Sequence, residues 1–285
     1  MSEPGLTVGM PCYDDFEGVY FSAQALSLYH ADVMAGAEIL VVDNNPESEQ
    51  GQKTREFLAT WVRNARYVPF TEKIGAATAK NRIFEEARGR IVLCIDAHVL
   101  LAPGSLAQLV RFYETDAHPE DLFQGPMLLD NLTDLATHME PVWRGEMFGI
   151  WGTDLSLVQD ASECGPPEIG MHGMGLFSSR KDTWLGFHPE FTGFGGEEGY
   201  IHQKYRNAGR KTRLLPFLKW VHRFTRTHPI RFPCTRYHKI RNYLIGWDEV
   251  NLPLRDVIEH FKPVTPRPEL EAAVRASGID LNKLL

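Results

Sequence analysis

The sequence predicts an α/β protein: a mostly parallel central sheet flanked by helices, in a single domain with a C-terminal appendage. Three observations predict it. Short β-rich apolar runs at 6–11, 38–42, 66–70 and 91–95 alternate with helical stretches, and such alternation implies parallel strands joined by right-handed crossovers. The helical stretches carry the matching period. Within 76–87, Ala76, Ala79, Ile83, Phe84 and Ala87 share one face, and Leu106, Leu109, Val110 and Tyr113 repeat the spacing after the helix start Pro103-Gly104-Ser105. The third observation is size: 285 residues, 43% hydrophobic and 24% charged, suffice for one α/β core with an added segment.

Further along, residues 175–179 read as a strand, 193–196 as a Gly-rich turn, 197 to about 208 as a helix and 212–215 as a strand. Between 130 and 170 the pattern weakens around Trp143, Trp151, Pro166 and Pro167, as in an insertion on the acceptor side. Beyond Pro253 the chain reads as a loop and a short helix. No internal repeat or low-complexity tract interrupts it.

Composition excludes several classes. The first residues form no leader-like basic or apolar run, and no stretch approaches the ~18 apolar residues of a membrane span, so the expectation is a cytoplasmic protein without a membrane anchor. Cys12, Cys94, Cys164 and Cys234 lack metal-type spacing and read as free thiols. The net charge of −7 hides an asymmetry: from Gly199 to Trp247 there is no Asp or Glu, against twelve Lys and Arg. A one-signed block of this length points to a polyanionic partner, either a nucleotide diphosphate or a nucleic acid, unless it is a solvated face.

Ligands of parallel sheets gather at the carboxyl ends of the strands, here 11–15, 43–45 and 96–98. The sharpest local signal is the run Ile91-Val92-Leu93-Cys94-Ile95-Asp96-Ala97-His98. It is an apolar strand ending in a carboxylate and an imidazole two residues apart, which period two points to the same side. That pair suits a borderline divalent cation, Mn²⁺ more readily than Mg²⁺. Taken alone, Asp96 could equally cap a turn, His98 be a satisfied polar residue, Asp43 a turn residue and His222 a core histidine.

Asp96-Ala97-His98 resembles the aspartate-x-histidine metal motif of the polypeptide N-acetylgalactosaminyltransferases, enzymes of the glycosyltransferase-A fold related more distantly to family 2 glycosyltransferases. Other segments resemble the same family in order. Leu40-Val41-Val42-Asp43-Asn44 matches its uracil-binding strand, and Gly75-Ala76-Ala77-Thr78-Ala79-Lys80-Asn81 the segment before the metal strand, with Lys80 where arginine is usual. Met174-Gly175-Leu176-Phe177 and Gly195-Gly196-Glu197-Glu198 match its sugar-side motifs. His222 to Pro233 matches its histidine-containing lid, with Thr225 and Ile230 departing from it.

The resemblance implies a Rossmann-like glycosyltransferase-A catalytic domain over 1–250. Its nucleotide-binding half is 1–100, its acceptor and sugar half 101–250 with a lid at 223–236, and a tail follows at 251–285. It implies a UDP-sugar donor and a Mn²⁺ or other divalent ion held by Asp96, His98 and His222. Pro11, Cys12, Asp43, Lys80, Arg226 and His228 would bind the nucleotide, and Met174, Gly175, Phe194, Gly195 and Gly196 the sugar. Glu197 and Glu198 are the catalytic candidates. The lid and metal motif point to retention of anomeric configuration, whereas Glu198 stands where inverting relatives carry a base; the motifs together favour retention. The acceptor is a hydroxyl, and the basic block leaves open a sugar transferase acting on a hydroxylated base in DNA. A nucleotidyltransferase would carry a Gly-rich phosphate loop where Gly9-Met10-Pro11-Cys12 stands. A catalytically dead nucleotide-binding module would have lost metal ligands, and all three are present.

Overall fold

The computed structural model describes residues 5–115, 118–159, 165–224 and 232–280. The strands are β1 (Leu6–Cys12), β2 (Glu38–Asp43), β3 (Ala65–Pro69), β4 (Ile91–Ile95), β5 (Val99–Leu101), β6 (Leu122–Gln124) and β7 (Met127–Leu128). They continue with β8 (Leu135–Ala136), β9 (His138–Arg144), β10 (Met147–Gly152), β11 (Leu176–Arg180), β12 (Thr212–Leu214) and β13 (Trp220–His222). The helices are α1 (Phe16–Tyr29), α2 (Ala31–Met34), α3 (Glu49–Trp61), α4 (Ala76–Glu86), α5 (Ser105–Thr115) and α6 (Ser156–Gln159). After them come α7 (Glu197–Asn207), α8 (Arg236–Glu249), α9 (Leu254–Phe261) and α10 (Arg267–Ser277).

Seven strands form the main sheet in the order β12-β6-β11-β4-β1-β2-β3. All pairings are parallel except those of β11, which runs against β4 and β6. The central strands are continuous apolar runs because both faces are covered. Along β2, Ile39 and Val41 enter one core with α1, α3 and α5, while Leu40 and Val42 enter the other with α4 and α7. β4 repeats this, Leu93 and Ile95 facing one way and Val92 and Cys94 the other. The expected α/β sheet is therefore present, with the strands at 6–11, 38–42, 66–70 and 91–95 within a residue of the observed ones.

A second sheet, β5-β13-β7-β8, lies beyond the end of β4. Its strands have two or three residues each, too short for a periodic signal. The weakly patterned stretch from 130 to 170 contains β8, α6 and the antiparallel hairpin β9–β10. The C-terminal segment also differs from the loop and short helix expected. It forms α9 and α10, which build a third core with α8 from Ile240, Tyr243, Trp247, Leu254, Val257, Phe261 and Val274. Leu254, Val257, Ile258 and Phe261 stand at i, i+3, i+4 and i+7, so the helical period was available there. Cys12, Cys94 and Cys234 are free thiols, and Cys164 lies outside the described residues.

The two sheets meet at Gly125, whose carbonyl accepts from Trp220 Nε1 at 2.7 Å. A Cβ at this position would overlap the Leu218 carbonyl oxygen, which is backbone and cannot turn aside. Gly125→Ala is therefore expected to lower stability by at least about 2 kcal/mol. Chemical denaturation would measure this, and an unchanged midpoint would show that the junction yields.

Candidate active site

The site grows from the end of β4. Asp96 follows the strand directly, and its N–H donates to Gly175 O at 2.8 Å. His98 leads into β5, and β13 pairs antiparallel with β5 so that His222 sits opposite Val99. That pairing brings a residue 124 positions away beside His98, with the two Nε2 atoms 3.2 Å apart. His222 Nε2 is 3.7 Å from Asp96 Oδ2. One ligand atom from each of Asp96, His98 and His222 lies within 4.8 Å of the others. Two imidazoles and one carboxylate converging this way could hold a borderline divalent cation. Gly175 keeps the space open: a Cβ there would stand 3.1 Å from Trp220 Cη2 and 3.2 Å from His222 Cδ2.

Two further groups bear on this cluster. His98 Nδ1 lies 2.8 Å from Asp15 Oδ2. Lys80, buried in α4, donates to Met174 O at 2.7 Å and pairs with Asp96 Oδ1 at 3.1 Å. Burial works against the Lys80 ammonium, and Asp96 more than offsets it, so the amine stays charged. Burial likewise pushes the Asp96 carboxyl up, and Lys80 with His222 and His98 outweighs that, holding it well below the usual carboxylate range. The family resemblance puts Lys80 on a diphosphate; in the fold its ammonium is against the Asp96 carboxylate.

These residues open on a cavity of about 420 Å³. Pro11, Cys12, Asn44, Ala76 and Lys80 line it together with Met174, Gly175, Phe194 and Glu198. Asp43 does not line it. Asp43 is fully buried and accepts from Asn45 N–H at 2.8 Å and Tyr67 O–H at 2.7 Å, and burial raises its pKa. Gly195 and Gly196 do not line it either; they shape the turn that carries Phe194 and the glutamates, with φ of 109° and 93°, a backbone that favours glycine. Arg226 and His228 lie outside the described residues, as does the 225–231 part of the expected lid at 223–236.

Sequence reasoning did not single out Met139, Met147 and Trp151, which line the cavity from the β9–β10 hairpin. Nor did it find Asn242 of α8, fully buried, which holds the Gly-rich turn. Its Nδ2 donates to Thr192 O at 2.9 Å and Gly195 O at 3.0 Å, and its Oδ1 accepts from Thr192 N–H at 3.2 Å. No local pattern marks Asn242, because it acts across 47 to 50 positions of chain.

Comparison with known proteins agrees with this architecture. Residues 8–126 match the model of glycosyl transferase family 2. A crystal structure of GalNAc-T7 with UDP, GalNAc and Mn²⁺ superposes with a TM-score of 0.67 at 15% identity, over 98% of this chain. The chain has the glycosyltransferase-A fold. It spans 55% of the length of that GalNAc-T7 chain. S. aureus TarS residues 1–349 with UDP-GlcNAc gives a TM-score of 0.57 at 13% identity, over 95% of this chain and 80% of that one. The mannosyltransferase PcManGT from Pyrobaculum calidifontis with GDP-Man and Mn²⁺ gives 0.54 at 18% identity, over 99% and 78%. No curated protein matches the chain by sequence. Among the described residues, no helix is long and apolar enough to cross a membrane.

The two glutamates at the start of α7 differ in setting. Glu197 Oε2 accepts from Gly195 N–H at 2.8 Å, and its Oε1 is buried without a hydrogen-bond partner. Burial, reinforced by the Glu198 charge, raises the Glu197 carboxyl to about 8. Burial raises Glu198 as well. An acid raised in this way contributes stability that is complete below its unfolded pKa of about 4.3 and is lost as pH climbs through the folded value. The melting temperature of Glu197→Gln, whose amide does not ionise, should therefore gain on that of the wild type as pH rises from roughly 5 to 9. A difference that is flat across that range would show that Glu197 does not titrate within it.

Proposed function

We propose that this chain is a metal-dependent glycosyltransferase that moves a sugar from a UDP-sugar donor to a hydroxyl acceptor. The observation that carries the reading is the convergence of the Asp96–His98–His222 cluster, Lys80 and Glu198 on one cavity of the glycosyltransferase-A fold. It is supported by the ligands named for its structural neighbours: UDP with Mn²⁺ for GalNAc-T7, UDP-GlcNAc for TarS and GDP-Man with Mn²⁺ for PcManGT. On this reading residues 1–100 form the nucleotide half, 101–250 the sugar and acceptor half with a lid at 223–236, and 251–285 a tail.

The leaving diphosphate accumulates negative charge as the anomeric carbon becomes cationic. A Mn²⁺ bound by Asp96, His98 and His222 would supply Lewis-acid stabilisation of that charge. Lys80 keeps Asp96 ionised and its Oδ1 occupied, which leaves Oδ2 on the side of the histidines. Pro11, Cys12 and Asn44 form the nucleotide end of the cavity; Asp43 contributes from behind it by fixing Asn45 and Tyr67. Met174, Gly175 and Phe194 would border the sugar, with Gly195 and Gly196 shaping the turn beneath. Arg226 and His228 would add cations from the lid.

The motifs alone favour retention; the setting of the two carboxylates supports inversion instead. Glu197 is engaged with the turn and does not line the cavity, whereas Glu198 does, and its buried Oε2 has no hydrogen-bond partner. Glu198 would take the acceptor proton as the hydroxyl oxygen attacks the anomeric carbon from the face opposite the diphosphate.

For the acceptor, the β9–β10 hairpin offers Met139, Met147 and Trp151, surfaces that pack on the face of a ring and carry no cation. The basic block, which motivates a nucleic-acid acceptor, is largely compensated in the fold. Of its ten described cations, seven pair with acids from outside it: Lys204 with Glu249, Arg210 with Glu120, Lys211 with Glu168, Arg213 with Asp121, Arg236 and Lys239 with Glu146, and Arg241 with Glu190. This supports a neutral hydroxyl acceptor over DNA.

A panel of UDP-sugars incubated with the protein and Mn²⁺ should reveal one donor that is hydrolysed slowly, since hydrolysis needs no acceptor. Absence of both donor turnover and Mn²⁺-dependent UDP binding would overturn the function. With an acceptor in hand, Glu198→Gln should lose about 10²–10⁴-fold in transfer rate while binding UDP as the wild type does. The anomeric configuration of the product, read by NMR, decides between inversion and retention.

A further inference from the structure

We infer that Asp15, at the start of α1, is a positioning residue for the metal cluster, fixing His98 so that its Nε2 is the atom offered to a cation. The inference rests on the metal reading of Asp96, His98 and His222, and assigns part of that site to a helix that contributes no ligand. An imidazole can present Nε2 as a lone pair only while its proton resides on Nδ1, so a metal-binding histidine depends on the acceptor that holds that proton. Asp15 Oδ2 is that acceptor, 2.8 Å from His98 Nδ1, on the side of the ring away from the 3.2 Å approach to His222.

Asp15 is itself held on both oxygens. Its Oδ1 accepts the Gly18 N–H at 3.0 Å, capping α1. Gly18 makes that geometry possible, because a Cβ there would stand 2.5–2.7 Å from the three atoms of the Asp15 carboxylate. One turn further on, the buried Ser22 hydroxyl reaches Ala97 O at 2.7 Å and Val99 O at 2.8 Å, the carbonyls on either side of His98. Helix α1 thus holds both the ring of His98 and the backbone flanking it. The cap and the ligand support are one carboxylate, so the entry to α1 and the orientation of the metal-side imidazole are fixed together.

The test separates the cap from the support. Asparagine and serine are both good N-caps, so Asp15→Asn and Asp15→Ser should melt close to the wild type. Neither offers His98 an anionic acceptor. The asparagine amide, if turned to the ring, donates to Nδ1 and selects the tautomer with its proton on Nε2. Mn²⁺ affinity of the protein without nucleotide, followed through the EPR signal of free Mn²⁺, should fall about 10–100-fold in both variants. Asp15→Ala should lose affinity and melt earlier, and Asp15→Glu should recover part of the affinity of Asp15→Asn. Wild-type Mn²⁺ affinity in Asp15→Asn or Asp15→Ser would overturn the inference. Asp96→Asn serves as the reference: a wild type that binds no Mn²⁺, or binds it equally after Asp96→Asn, would instead overturn the metal reading itself.

Discussion

A carboxylate at the end of a buried central strand has to be compensated, and much of the architecture around Asp96 follows from how this is done. Charge placed in a low-dielectric interior without partners is expelled or neutralised. Asp96 retains its charge because three elements converge on it. α4 contributes Lys80 from within the helix, β13 contributes His222 by pairing with β5, and the loop after β4 contributes His98. Removing any of them leaves an acid short of compensation. The cluster is therefore a constraint on the fold as well as a place for a cation. On the proposed function a divalent ion would join one ammonium already paired with the other carboxylate oxygen, and the Asp15 carboxylate on the far side of His98 would offset part of that positive charge.

The Gly-rich turn at 193–196 is the second fixed point. Gly193, Gly195 and Gly196 all have positive φ, and α8 lies so close that side chains at Gly193 or Gly195 would meet His238 or Lys239. Asn242 ties the turn to α8, and the backbone bonds between Gly193 and the start of α4 tie it to the nucleotide side. α8 is anchored in turn on the β9–β10 hairpin, through Glu146 to Arg236 and Lys239 and through Tyr243 to the Phe148 N–H. The hairpin that bears Trp151 and the turn that bears Phe194 and Glu198 therefore share one support. Movement of α8 would shift both walls of the cavity at once.

The parts of this arrangement legible in the sequence are those whose physics is local. β1, β2 and β4 could be read because strands covered on both faces are continuous apolar runs, and α4 and α5 because one face of each is apolar. Asp96 and His98 could be read because they follow an apolar strand directly, although β4 ends at Ile95 and a turn, not the strand's period of two, carries His98. His222 was reached through a motif resemblance; the pairing of two three-residue strands that delivers it leaves no periodic trace. The same holds for Asn242 and for the Tyr67 hydroxyl on Asp43, which act across 47 and 24 residues of chain. Lys80 illustrates a different limit. Its charge was evident, but sequence does not say whether a cation near a strand end faces a bound phosphate or a neighbouring carboxylate, and only the path of α4 decides.

The charge asymmetry of the chain is a case in which linear and spatial order diverge. Read along the sequence, the segment from Gly199 to Trp247 carries only positive charge among its Asp, Glu, Lys and Arg residues and suggests an anionic partner or a solvated face. In space α7, β12 and α8 lie against elements that bear acids, and the partners arrive from Asp121, Glu120, Glu146, Glu168, Glu190 and Glu249. Several of these pairs are exposed and each contributes little to stability. What they do change is the field: seven of the ten described cations have an acid beside them, which lowers the positive potential that a nucleic-acid backbone would meet. The cavity is left with a short-range pattern of its own. Lys80 and the imidazoles stand around Asp96, and a buried carboxylate, Glu198, lines the same cavity as Met139, Met147 and Trp151. On the proposed function, that pattern suits a small anionic leaving group beside an uncharged hydroxyl, because the cations among the described lining residues, Lys80 and Arg223, belong to the surroundings of Asp96 and His222.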